Sequence, residues 1–162
     1  MMETGAVDPV QRLLAIEAIK QLKARHFRCM DSRDWAGLRA VFCDDAVFDA
    51  RGALSLDGAR GAGWNADWVY RGGAAITDFV RDTAGPWRTV HHGHGHEIAL
   101  LSATDARGVI AVEDQIWAPD SGASYLHGCG YYHEDYRMGS DGWRILTSRL
   151  TRLHIALGPA AG

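Results

Sequence analysis

Cysteine is scarce in this chain. Cys29, Cys43 and Cys129 are an odd number without Cys-x-x-Cys spacing, which argues against a disulfide framework or a cysteine zinc site and favours buried free thiols. No stretch approaches the ~20 consecutive apolar residues of a membrane span. Positive charge is not in excess: the formal net charge is −3, so neither nucleic acid nor a membrane surface is expected as a partner. The stretch from Met1 to Asp8 lacks the basic start and apolar core of a secretory signal, and a cytoplasmic location is the expectation. Internal repeats are absent. What remains, 162 residues with 47% hydrophobic and 23% charged, has the composition of one globular domain over 1–162 with its own core, with 1–8 and 158–162 as frayed ends.

Read in order, the chain begins with a helix over 9–31. Asp8 serves as cap and Pro9 takes the first turn. Ile16, Ile19, Leu22, His26 and Met30 recur at spacings of three and four, as one helix face requires. His26 therefore sits in an apolar stripe, either as a core histidine or as a pocket wall. Asp31 closes the helix close to the same face. An acid at a helix C-terminus is opposed by the macrodipole, and a histidine would serve as its compensating partner. Asp34 caps a short helix over 35–42, and Ala46 to Ala50 read as a strand. Residues 51–67, with four glycines, read as a long loop. Trp64 and Trp68 near its end favour a loop that packs, as an anchor or as a lid in which Trp68 contacts substrate. A third helix covers 74–83. Strands follow at 89–102, 108–118, 124–138 and 143–155 with hairpin-length connections, so the sheet is expected to be antiparallel. Helices followed by a strand meander describe an α+β domain with helices laid on one face of a curved sheet.

The residues with the most chemistry lie in Trp87 to Ile98. Four of the eight histidines, His91, His92, His94 and His96, fall within six positions there. Two interspersed glycines make the stretch a poor helix. As a straight strand it puts His91, Gly93, Gly95 and Glu97 on one face and His92, His94 and His96 on the other. An imidazole flanked by positions without side chains is one way to leave room for a ligand. A bulge between Val90 and Gly95 would exchange the faces.

The order of these elements and several local motifs resemble the SnoaL-like branch of the nuclear transport factor 2-like superfamily, cone-shaped α+β barrels. The resemblance is carried by Phe27 to Trp35, Phe42 to Phe48, Tyr70 to Ile76, Thr89 to Ile98, and Leu126 to Tyr136 followed by Asp141-Gly142-Trp143-Arg144. Within that superfamily, scytalone dehydratase and hexachlorocyclohexane dehydrochlorinase pair an aspartate at the end of the first helix with a histidine on the strand after the third. The resemblance thus implies that Asp31 and His91 form a catalytic pair, with His91 facing a deep, mainly apolar cavity. It also implies chemistry without a cofactor.

A carboxylate that fixes one imidazole nitrogen makes the other a general base, suited to removing a proton next to a carbonyl or a leaving group. The expected enzyme is a lyase or isomerase (dehydratase, ketosteroid-isomerase-like or polyketide-cyclase-like) acting on a hydrophobic, cyclic small molecule. Tyr132, His127 and His26 are candidate hydrogen-bond donors to it. Because His127 and Tyr132 have opposite strand parity, at most one of them faces the cavity of a regular strand.

Two rival readings stand beside this one. His92, His94 and His96 would supply three imidazoles to a metal, but on a straight strand they span about 13 Å at roughly 3.3 Å per residue, so no metal is expected. The cone also resembles the small subunit of ring-hydroxylating dioxygenases, a non-catalytic ligand-binding or assembly role. Ile98 and Leu100, in parity with the outer histidines, suggest an outer-face contact that builds a homodimer or homotrimer.

Overall fold

The computed structural model describes residues 8–158. Apart from Asp8 and Gly158, the ends expected to fray lie outside the described residues. Asp8 accepts hydrogen bonds from the amides of Val10 and Gln11, and Pro9 opens helix α1, Pro9–Ser32. Arg33 ends α1 in the left-handed region, at φ 58°, with its amide returned to Cys29 and Met30. Asp34 caps α2, Trp35–Ala40, by accepting from the Gly37 amide at 2.8 Å. Strand β1, Phe42–Asp49, and β2, Val69–Arg71, precede helix α3, Gly73–Ala84. Four long strands follow: β3, Arg88–Leu100; β4, Asp105–Trp117; β5, Ser124–Gly139; and β6, Gly142–Leu157.

The six strands form one sheet in the order β2-β1-β6-β5-β4-β3. It is curved, unclosed and mixed, with the helices on one face. The expectation of an antiparallel sheet fails at one pair: β1 runs parallel to β6, with Phe42 beside Ile145 and Val47 beside Thr147. The intervening chain from β1 to β6 holds all the other strands, so hairpin-length connections elsewhere could not reveal this closure. The same pairing draws Phe42, expected at the end of α2, into β1. Strand β2, only three residues long, has too little alternation to be read from sequence.

On β4 and β5 burial alternates strictly, so Ala106, Ile110, Val112, Tyr132 and Tyr136 face the helices. They pack with Ile19, Leu22, Phe27 and Met30 of α1 and with Ile76 and Val80 of α3. Residues 51–67 contain one short 3-10 turn, Gly58–Arg60, and are pinned to the sheet where Arg152 donates from Nε to the Ala53 carbonyl at 2.7 Å.

The edge strand β3 carries the main departure from a regular pattern. Its register to β4 shifts between His94 and Glu97, and Gly95 sits at φ +48°. The bulge exchanges the faces downstream of it. Thr89, His91 and Gly93 face the helices before it, and His96, Ile98 and Leu100 do so after it. His96 is therefore not in line with His92 and His94, and Glu97 is not on the face of His91. Ile98 and Leu100 pack against the core, which removes the apolar outer patch on which a subunit contact was expected.

Candidate active site

Helix α1 and strand β3 meet at Asp31. Its Oδ1 accepts from Thr89 Oγ1 at 2.9 Å and from His91 Nδ1 at 2.7 Å, while Oδ2 accepts the His91 amide at 2.9 Å. The macrodipole penalty of an acid at the helix end is about 0.3–1 kcal/mol; three hydrogen bonds to a carboxylate, each worth about 1.5–3 kcal/mol, outweigh it. A carboxylate only accepts, so His91 carries its proton on Nδ1. Its Nε2 is left with a lone pair and has no protein partner among the described residues. The imidazole is largely enclosed, its side chain 9% exposed against 24% for that of Asp31. Phe27 lies parallel to it, ring centroids 5.9 Å apart.

Gly93 does not leave room for a ligand. A Cβ there would come within 2.6 Å of Phe27 Cε2, so the missing side chain makes space for that ring. A cleft of about 670 Å³ between α1 and β3 reaches Asp31, Phe27 and His91. Its surface is mainly apolar, as expected, although Lys20 and Arg28 flank it; it is an open cleft rather than the deep cavity expected.

His26, 4% exposed, faces the interior. Its Nδ1 lies 2.8 Å from Lys23 Nζ, which also donates to Glu134 Oε1 at 2.8 Å. Burial first, then the nearby Lys23 and His91, hold its pKa well below the usual imidazole range. Tyr132 is buried on the same side, with the Lys23 ammonium 4.2 Å from its ring centroid; burial pushes its phenol pKa up. His127 lies on the outer face, where it is hydrogen-bonded to Glu113 at 2.8 Å, its side chain 43% exposed. The parity question is thus answered in favour of Tyr132, and His127 is separated from the pair. Trp68 packs against Phe79 of α3, centroids 6.0 Å apart, and against the core.

Four buried charged residues went unread in the sequence. Lys23 and Glu134 have no exposed side-chain surface and form an ion pair. Asp114, directly opposite His91 on β4, is held by both terminal nitrogens of Arg152. The available signal was parity: Lys23 adjoins the apolar stripe of α1, and Asp114 and Glu134 share the faces of Val112 and Tyr132. Among the described residues no group of three or more histidines, cysteines or acids has metal-binding geometry, and the bulge divides the three imidazoles considered as a metal set. No described helix is long and apolar enough to cross a membrane.

The profile of the SnoaL-like domain matches residues 11–149. Among solved structures, a candidate scytalone dehydratase from Novosphingobium aromaticivorans superimposes with a TM-score of 0.78 at 15% identity, over 96% of this chain and 95% of the other. Hexachlorocyclohexane dehydrochlorinase from Novosphingobium barchaimii gives 0.72 at 18% identity, over 95% and 97%. A candidate aromatic ring hydroxylase, also from a Novosphingobium, gives 0.75 at 19% identity, over 90% and 94%. At these identities the likeness is one of fold.

Proposed function

The chain belongs to the SnoaL-like domain family, and from that premise we propose that it is a cofactor-independent lyase or isomerase in which His91 is the general base and Asp31 its orienting partner. The observation that carries this reading is the asymmetry of the His91 ring: Nδ1 bonded to a carboxylate, Nε2 without a protein partner. In the proposed step Nε2 takes a proton from a carbon next to a carbonyl. The C–H electron pair moves toward the carbonyl oxygen to form an enolate, or expels a leaving group from the neighbouring carbon. The imidazolium, stabilised by Asp31, then returns the proton to another carbon or to the departing group. The substrate class is a hydrophobic, cyclic carbonyl compound. The solved structures of similar fold include a named dehydrochlorinase and a candidate dehydratase, activities that begin with such a proton transfer.

The other reading is a non-catalytic binding or assembly module. It offers no reason for a carboxylate with three hydrogen bonds at the end of α1. Assembly as a homodimer or homotrimer is compatible with either.

The test is deuterium incorporation into a panel of cyclic ketones in D2O, followed by mass spectrometry. Wild-type protein is expected to exchange protons next to the carbonyl of at least one member above the buffer rate. Both His91→Gln and Asp31→Ala should lower that rate at least about 10²-fold, the range for loss of a general base. No exchange beyond buffer, or equal exchange by the variants, would exclude the base.

A further inference from the structure

Lys23, buried with 0% of its side chain exposed, faces a histidine, a carboxylate and two aromatic rings. Glu134 accepts three hydrogen bonds: from Lys23 and Ser148 at Oε1, each at 2.8 Å, and from Tyr136 at Oε2 at 2.6 Å. Such a carboxyl has acceptor work for both oxygens and is ionised. An ionised Glu134 at 2.8 Å keeps the proton on Lys23, and the faces of Tyr132 and Phe27, 4.2 and 4.7 Å from Nζ, favour the ammonium as well. An ammonium only donates. His26 Nδ1 at 2.8 Å must then accept, so the imidazole proton of His26 is on Nε2.

We propose, building on the assignment of His91 as base, that Lys23 is a positioning residue that locks His26 as a neutral Nε2–H donor for an oxygen of the substrate. Nε2 of His26 has no protein acceptor among the described residues. His91 and His26 are thereby set in opposite tautomers. Asp31, an acceptor, leaves His91 a free lone pair, and Lys23, a donor, leaves His26 a free N–H. His26 cannot serve as a second base through Nδ1, because that lone pair is occupied. Protonation there would set an N–H against an ammonium, in agreement with the lowered pKa of His26. Both imidazoles stack on Phe27, and a lone pair on one with an N–H on the other suits a substrate that loses a proton as its oxygen gains negative charge. Glu134 acts one step further back, by keeping the lysine charged.

The test is a long-range proton–nitrogen correlation spectrum of the full chain labelled with ¹⁵N-histidine, recorded between pH 5.5 and 7.5. His26 is expected to show a protonated Nε2 and a bare Nδ1 at neutral pH. In Lys23→Met it should become a mixture of tautomers and take up a proton at a higher pH than in wild type. A wild-type spectrum with the His26 proton on Nδ1 overturns the proposal without any variant, should Lys23→Met not fold. An unchanged His26 pattern in folded Lys23→Met overturns it too. In the ketone exchange assay, His26→Phe should lose about 10²-fold in rate, the scale for one oxyanion donor, and His26→Gln, which restores an N–H, should recover part of it. Equal loss in both removes the donor role. The His91 signals report separately in the same spectrum, so failure of the base and failure of the lock are distinguishable.

Discussion

At the level of single residues, the site is built by groups that can do only one thing. Asp31 accepts, Lys23 donates, and each dictates what the neighbouring imidazole offers. Gly93 contributes by having no side chain, and the ring of Phe27 occupies the space next to His91. Gly93→Ala is expected to destabilise the fold by about 1–3 kcal/mol through overpacking, read as a lower midpoint of urea unfolding; an unchanged midpoint would mean that Phe27 moves aside freely. The Asp31 and His91 pair was legible because a helix-end acid and a motif-placed histidine are local features. The surroundings were not. Glu134 and Arg152 look like ordinary charged residues on long strands, and only their register across β4, β5 and β6 brings them beside Lys23 and Asp114.

Among the elements, both long helices and all four long strands could be read from spacing, since periods of 3.6 and 2 are written along many residues. Helix α1 was expected over 9–31 and occupies Pro9–Ser32. The parallel contact of β1 with β6 was hidden because partners roughly a hundred residues apart leave no local trace. The bulge in β3 falls between His94 and Glu97, overlapping the end of the stretch from Val90 to Gly95 in which a bulge would exchange the faces. By lying beyond His91, it leaves the orientation of that residue intact and turns His96, Ile98 and Leu100 toward the core. A glycine at φ +48° supplies the bend without strain. The choice between His127 and Tyr132 belongs to this scale as well, because regular alternation along β5 decided it.

For the whole molecule, a helix-covered face that holds ionisable groups makes folding sensitive to acid. His26 and His96 on that face, and His133 on the outer face of β5, all have lowered pKa values, burial being the first cause for each. Above the ordinary histidine pKa of ~6.5 both folded and unfolded states are neutral at these positions. As pH falls below it, the unfolded chain takes up protons that the folded protein resists, so stability must fall with pH in that window. His26, the most buried of the three, contributes a slope of about 1.4 kcal/mol per pH unit until its own depressed pKa is reached. Urea unfolding between pH 7.5 and 5.5 checks this; a flat profile, or greater stability in acid, would mean that His26 accepts a proton while folded. The central claim is that Asp31 sets the proton of His91 on Nδ1 and leaves Nε2 as the base. The most direct measurement is the tautomer of His91 in the intact ¹⁵N-histidine-labelled protein at neutral pH, compared with Asp31→Ala. A wild-type proton on Nδ1 that redistributes to Nε2 in the variant is the predicted result, and a wild-type His91 already protonated on Nε2 would contradict the account.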